Sequence, residues 1–368
     1  MAEEKRAKAA SRPQELGVME GKGFYNEHSK PQHSSVAFGL PLLTRAVEAV
    51  PLPTPGEVFQ VADYGVAGGH NSVEPMRTVI DLIRRRVSAE LAVSVFHTDL
   101  PTNDFDTLFK LLSSPDGYSW GVPNVFSYAE GRSFYERLFP ASQIHIGWNA
   151  IAVHWISRVP TTIPNHIWSN RATGAVKEAF ARQSEQDWHS FLEHRGHELR
   201  PGGRLVVLGG ASDERGSSGA EGLLDMANAA LQEMVAEDTL RHGEYERMVI
   251  PTYNRTFKEF EAPFSGDLAA GVLELESSSE VALPDPFWPE YQRSGDAQAF
   301  GTAYAEFFRA AYGPSLFGAL DADRTPDGPT KIAEAFYERL REKVAADPVT
   351  ASCAWRVVLL LIAKRSER

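Results

Sequence analysis

Val61-Ala-Asp-Tyr-Gly-Val-Ala-Gly-Gly-His-Asn-Ser72, followed by Val93-Ser-Val-Phe-His-Thr-Asp99, decides the fold. In the first stretch an apolar run ends in an acid, turns through glycines and leads into a helical pattern. In the second, another apolar run ends in another acid. A strand that stops at Asp63, with a turn through Gly65, Gly68 and Gly69, lets the backbone bend tightly and approach a ligand. The following helix is expected to turn free N–H groups and its positive dipole end towards that ligand. A second strand then carries Asp99 to its C-terminal edge, where one carboxylate accepts from both hydroxyls of a ribose. The glycines depart from a strict Gly-x-Gly-x-x-Gly, which favours S-adenosylmethionine over a dinucleotide because no pyrophosphate needs cradling.

Further strands are expected at 125–129, 144–150, 204–208, 269–275 and 354–363, with helices at 36–50, 73–86, 105–112, 178–199, 299–320 and 331–345. In the helix at 73–86, Ile80 and Ile83 should face inwards, and Pro201-Gly-Gly203 should break the helix before it. Strand–helix alternation of this kind predicts an α/β fold with a doubly wound parallel sheet. The mostly helical stretch between its last strands should cap the strands' C-terminal edge, where open sheets bind ligands. The expected division is a mobile tail (1–18), an arm over the active site (19–35), a Rossmann-like core (36–210), a mainly helical cap with some sheet segments (211–330), and a C-terminal helix and strand completing the core (331–368).

Composition agrees with an enzyme of small molecules. The chain has 368 residues, 43% of them hydrophobic, and a formal charge of −12, which disfavours nucleic acid and anionic membrane surfaces as partners. The single cysteine, Cys353, excludes an internal disulfide and suggests a reducing compartment. The charged stretch 1–13 lacks the apolar core of a secretory signal, and the run Val357 to Ala363 is too short to cross a bilayer. A cytoplasmic protein without membrane insertion is expected. His189, His194 and His197 on one helix lack the i,i+4 histidine pair of a helical zinc site and read as a solvated face, so no metal is expected.

Four blocks resemble the SABATH carboxyl methyltransferases. Tyr25-Asn-Glu-His-Ser29-Lys-Pro-Gln32 is similar to the family's S-Y-x-x-N-S-x-x-Q arm, and Ala62-Asp63-Tyr-Gly65 to Asn71 to its A-D-L-G-C-S-S-G-P-N loop. Asp99-Leu100-Pro-Thr-Asn103-Asp104-Phe105 is similar to N-D-L-P-x-N-D-F. Ser133-Phe134-Tyr135-Glu-Arg-Leu-Phe-Pro140 with Val153-His154-Trp155-Ile-Ser-Arg-Val-Pro160 is similar to G-S-F-Y-x-R-L-F-P and L-H-W-L-S-x-V-P. The resemblance implies a class I methyltransferase core with a helical cap, commonly dimeric, and S-adenosylmethionine as methyl donor. Tyr25, Ser29, Asp63, Gly65, Asn71, Asp99, Leu100, Ser133 and Phe134 would line the donor site, and Gln32, His154 and Trp155 would hold the substrate carboxylate. The family's arm often carries a lysine after its methionine; here Met19 is followed by Glu20, with Lys22 close by.

Such a site needs little acid–base help, since a carboxylic acid of pKa about 4 to 5 is already ionised at pH 7. Donors that aim an anion suffice, and Gln32, His154 and Trp155 each offer an N–H. The implied reaction forms the methyl ester of a small lipophilic acid, benzoate-like, indole acetate-like or a fatty acid. The aromatics Phe257, Phe260, Phe264, Phe287, Trp288, Phe307, Phe308 and Phe317 would supply its apolar wall and part of the core. Methylation of a heterocycle nitrogen is an alternative, as is a non-catalytic nucleoside-binding regulatory protein, against which the intact Asp99 and Asn71 speak. In plainer readings Asp99 is a helix N-cap, Asp63 a turn residue, the His154-Trp155 pair part of a core, and Gln32 part of a solvated arm.

Overall fold

The computed structural model describes residues 17–265 and 272–366. The expected tail lies outside the described residues except for Gly17 and Val18. The sheet contains β1 (Phe59–Tyr64), β2 (Val93–Asp99), β3 (Val125–Gly131), β4 (Ile144–Ala150), β5 (Leu199–Ser212), the two-residue β6 (Arg255–Thr256), β7 (Leu273–Ala282) and β8 (Arg356–Lys364). Strand order is β3-β2-β1-β4-β5-β8-β7, with β6 beside β5. From β3 to β5 all neighbours are parallel, and β8 runs antiparallel to both β5 and β7. The order reverses between β1 and β4, so loops leaving their C-terminal ends diverge and open a crevice at Asp63 and Ile151.

Helices cover both faces of the sheet. On one side α1 (Phe24–His28) leads into α2 (Lys30–Ala49), which packs with α3 (Val73–Arg86) and α4 (Phe105–Leu112) over a core including Val61, Val95, Ile146 and Leu208. Ile80 and Ile83 are buried in it, as their spacing predicts. A Cβ at Gly39 would stand 2.6 Å from both Leu208 and Trp148, so the glycine presses α2 onto the sheet. On the other side α5 (Gly174–Glu198) inserts Trp188, Phe191 and Leu192 against Tyr64, Val207 and Leu360.

The cap combines α6 (Glu221–Ala236), α7 (His242–Arg247), α9 (Trp288–Ser294), α10 (Ala297–Phe317), α11 (Gly328–Ala346) and α12 (Pro348–Ala351), while the short α8 (Phe257–Glu261) packs on the sheet side. Its main cluster joins Leu223, Leu231, Tyr304, Phe308, Phe336 and Leu340 to Ile167 and Trp168. Helix α11 thus packs into the cap, and of the C-terminal stretch only β8 closes the sheet. Phe257, Phe260 and Phe264 belong to the sheet-side core, whereas Phe287, Trp288, Phe307, Phe308 and Phe317 join the cap.

Several boundaries differ from the sequence reading. The helix before Pro201-Gly-Gly203 does end at Glu198, but these residues already lie within β5, where Gly202 takes φ 75° and the register with β4 shifts, as a bulge allows. Of the strand expected at 269–275, residues 269–271 lie outside the described residues and 273–275 open β7, which continues to Ala282; there its alternation is hidden by Ser277, Ser278 and Ser279 on an edge strand. The arm is helical, because Pro31 is tolerated in the first turn of α2.

Candidate active site

Ten of the expected site residues meet in one cavity of about 190 Å³ at the crevice: Tyr25, Gln32, Asp63, Gly65, Asn71, Asp99, Leu100, Ser133, Phe134 and Trp155. They come from the arm, from the ends of β1 and β2, and from the loops after β3 and β4. Two others stand apart. Ser29 is buried beneath the wall, where its Oγ accepts from the Asn71 amide at 3.4 Å. His154 lines a smaller neighbouring cavity, and Gln32 and Ile151 line both.

The glycine loop is held by the protein itself. Gly65 and Val66 N–H groups donate to the Thr98 carbonyl, and Gly69 N–H to that of Val66. Ala67 N–H donates to Asp99 Oδ2 at 2.7 Å, and His70 N–H to Asn26 Oδ1. The helix expected to follow the loop directly is separated from it by a single 3₁₀ turn (His70–Ser72). Gly65 takes φ 84°, and a Cβ there would lie 2.6 Å from Ala152. At Gly68 it would lie 2.4 Å from Asn26 Oδ1, so this glycine admits the arm.

Asp99 also accepts from Leu100 N–H at 2.8 Å, which leaves further lone pairs on both oxygens towards the cavity. Burial pushes its pKa up to about 6 against the pull of these N–H donors. The N-cap reading passes to Asp104, which accepts from Thr107 N–H at 3.1 Å and from Lys22 N–H at 2.6 Å. Lys22 is not among the residues lining the cavity. Burial, with the Asp99 charge nearby, holds the Tyr25 phenol well above its ordinary range, so it stays protonated.

Asp63 is backed by a buried chain the sequence reading missed. His97 Nδ1 lies 3.0 Å from Asp63 Oδ2, its Nε2 2.8 Å from Tyr118 OH, and that hydroxyl 2.7 Å from Ser127 Oγ. With Nδ1 donating to the carboxylate, Nε2 accepts from the phenol. A second buried network fixes Phe134. Arg195 and Glu198, both fully buried, pair at 2.7 Å. Arg195 donates to the carbonyls of Phe134 (2.6 Å) and Glu136 (2.9 Å), while Glu198 accepts from Leu138 N–H at 2.6 Å and Phe139 N–H at 3.2 Å. The i,i+3 pair is visible in the sequence of α5, but its long-range target is not.

The loop after β4 carries the rest. Ile151 takes φ 52°, an outlier for a β-branched residue and a strained backbone at the wall between the cavities. Tyr135 OH donates to the carbonyls of Trp155 (2.6 Å) and Val153 (3.1 Å), so two of the sequence blocks brace one another. Arg255 also donates to the Val153 carbonyl, at 2.6 Å. His154 is buried, and desolvation followed by the Arg255 charge lowers its pKa to about 3, which keeps the imidazole neutral. Met19 and Gly17 come over this loop; a Cβ at Gly17 would stand 3.5 Å from the Trp155 ring. Met19, Tyr135 and Ser157 also line the larger cavity without having been expected as site residues.

A family model described as SAM-dependent carboxyl methyltransferase matches residues 14–365. Gibberellic acid methyltransferase 2 of Arabidopsis thaliana is 25% identical over 360 residues, covering 91% of this chain and 90% of its own. The farnesoic acid carboxyl-O-methyltransferase of the same plant is 26% identical, covering 88% and 91%. A solved loganic acid methyltransferase shares the fold, with a TM-score of 0.78 at 20% identity over 95% of this chain and 99% of that one. A crevice at the reversal of strand order, an acid at the end of β2 and a family match along nearly the whole chain lead to one conclusion: this protein belongs to the S-adenosylmethionine-dependent carboxyl methyltransferases.

Proposed function

We propose that the enzyme forms the methyl ester of a small lipophilic carboxylic acid, with the donor in the larger cavity and the acceptor's body in the smaller one. The observation that carries this is the junction: Gln32 and Ile151 line both cavities, and His154 and Trp155 are successive residues facing one each. The larger cavity suits the donor. Asp99, at the end of β2, takes the ribose hydroxyls; Asp63 stands at the methionine end; Tyr25, Leu100, Ser133 and Phe134 enclose the remainder, with Asn71 and Ser29 behind them. When bound, S-adenosylmethionine supplies a methyl group on a positively charged sulfur.

Gln32, His154 and Trp155 orient the acceptor carboxylate by N–H donation, so that one oxygen sits in line with the methyl carbon at about 3 Å. With the donor bound, the O–CH₃ bond would form as the C–S bond breaks, the electron pair of that bond staying on sulfur, and no residue here would have to move a proton. A neutral His154 fits this economy: it donates without burying a second charge, and no side chain need act as base. The pocket wall is largely apolar, with Leu283, Phe307 and Val357 supporting a lipophilic acceptor, as do the acids named for its relatives.

The same reading divides the chain into the arm, core, cap and C-terminal segment set out above, with α11 reassigned to the cap. A homodimer and a cytoplasmic location are part of it, supported respectively by the family resemblance and by a lone, buried cysteine. No helix among the described residues is long and apolar enough to cross a membrane. Isotopically labelled S-adenosylmethionine offered with a panel of carboxylic acids and heterocyclic amines tests the proposal. Label in a base-labile ester is expected; label only in base-stable products would refute it.

A further inference from the structure

Three buried polar atoms without a hydrogen-bond partner among the described residues belong to residues lining the smaller cavity: Gln32 Oε1, His154 Nδ1 and Trp355 Nε1. Gln32 meets the acceptor carboxylate through its amide N–H, so its Oε1 remains an acceptor, and His154 Nδ1 is accounted for by that carboxylate. Trp355 is not. It directly precedes β8, two residues before Val357, which pairs with Gly210. A Cβ at Gly210 would stand 3.1 Å from His154 Nδ1, so Gly210 marks the carboxylate end of the cavity. At about 3.3 Å per residue, Trp355 lies on the order of 7 Å further along the strand.

An indole N–H is a donor only, and shutting it away unpaired costs free energy that an acceptor atom would recover. Its surroundings specify which kind. The cation beside it, Arg356, lines the same cavity but is already engaged by Glu280 at 2.6 Å, with Asp213 at 3.7 Å, so a second carboxylate is not called for. The adjoining walls are Phe307, Leu283 and Val357, while Asn254 lines the cavity beside Gly210, at the carboxylate end. We infer that the acceptor carries, remote from its carboxylate, one neutral oxygen that accepts from Trp355 Nε1. The enzyme therefore selects hydroxy or oxo acids over their plain counterparts. The inference rests on the proposed function and adds a second point of recognition to it.

Matched acceptors test it: phenylpropanoate against its para-hydroxyl derivative, and hexanoate against its terminal-hydroxyl and terminal-ketone derivatives, each assayed by label transfer from S-adenosylmethionine. In the wild type at least one oxygenated acid should exceed its plain twin in kcat/KM by about tenfold, the worth of one net hydrogen bond. Trp355→Phe keeps the ring and removes the N–H, and should bring that ratio close to one. Donor binding by calorimetry shows whether the variant is folded; if it is not, the wild-type ratios decide alone. Plain acids turned over as well as every oxygenated twin would overturn the inference while leaving the proposed function standing, as would a ratio that survives in Trp355→Phe. Failure of the wild type to methylate any acid would overturn both.

Discussion

Protonation of Asp99 should control how tightly the methyl donor binds. The carboxylate is buried, its pKa is pushed up to about 6, and two backbone N–H groups already draw on it. A ribose donates two O–H groups, so only the ionised form can serve both; a protonated Asp99 presents a donor where an acceptor is needed. If the donor binds the ionised form alone, the apparent Kd relative to its plateau should rise about twofold at pH 6 and about elevenfold at pH 5, and by about tenfold per unit below that.

The sign for folding is opposite. A folded pKa above the unfolded value makes the ionised group a cost at neutral pH, and this cost is relieved as pH falls from above 6 towards the unfolded pKa near 4. Weaker donor binding at pH 5 would therefore not reflect a loss of fold caused by this residue. Isothermal titration between pH 5 and 8, in buffers of different ionisation enthalpy, should show both the rise in Kd and a proton released on binding. Asp99→Asn should flatten the profile and weaken binding at pH 7.5 by on the order of 10–100-fold, because charge-assisted bonds are replaced. A Kd independent of pH in the wild type, or a pH dependence retained by Asp99→Asn, would refute the assignment.

Other consequences can be checked alongside. Trp155→Phe removes an N–H near the proposed carboxylate position and should raise acceptor KM about tenfold; an unchanged KM would remove Trp155 from the carboxylate clamp. Arg195→Met strands the Glu198 carboxylate and frees the Phe134 loop, at a cost of about 3–5 kcal/mol, which for a chain of this length lowers Tm by roughly 5 °C in a calorimetric scan. Loss of donor affinity in that variant, measured well below its Tm, would show that the pair also positions the loop. Gly65→Ala places a side chain at φ 84° and 2.6 Å from Ala152; donor binding should fall below detection while the protein still folds, and near-normal affinity would mean the loop has room to shift.

Much of this was legible in the sequence because it is written in short-range terms. The doubly wound sheet follows from apolar runs such as Val61–Ala62 and Val93–Val95 that end in acids, and from the glycine turn between strand and helix. The donor-side residues sit at strand ends, which the same runs locate. What could not be read are contacts whose partners lie far apart in sequence. The Asp63–His97–Tyr118 chain depends on the register of β1 against β2, and the grip of Arg195 on Phe134 spans 61 residues. Pro201-Gly-Gly203 marks the end of the helix before it, but that the strand begins at Leu199 and carries these residues as a bulge is not written in them. The position of Trp355 opposite the carboxylate end depends on β8 returning antiparallel beside β5, which no local pattern encodes.

The tight seating of α2 at Gly39 has a kinetic corollary. That helix cannot tilt without driving Leu208 and Trp148 out of place, so Gln32, in its first turns, is anchored as firmly as the sheet itself. The chain leaves helical geometry at Ser29 (φ −94°, ψ 35°), and what precedes it is fastened by point contacts: Glu20 N–H to the Ala310 carbonyl, Lys22 N–H to Asp104, His28 to Glu306, and Asn26 to Gly68 and His70. Tyr25 belongs to that separable piece and Gln32 does not. Turnover can thus unlatch the nucleoside's enclosure while the residue that meets the acceptor keeps its position, so exchange of spent donor for fresh does not require the second pocket to be rebuilt each cycle.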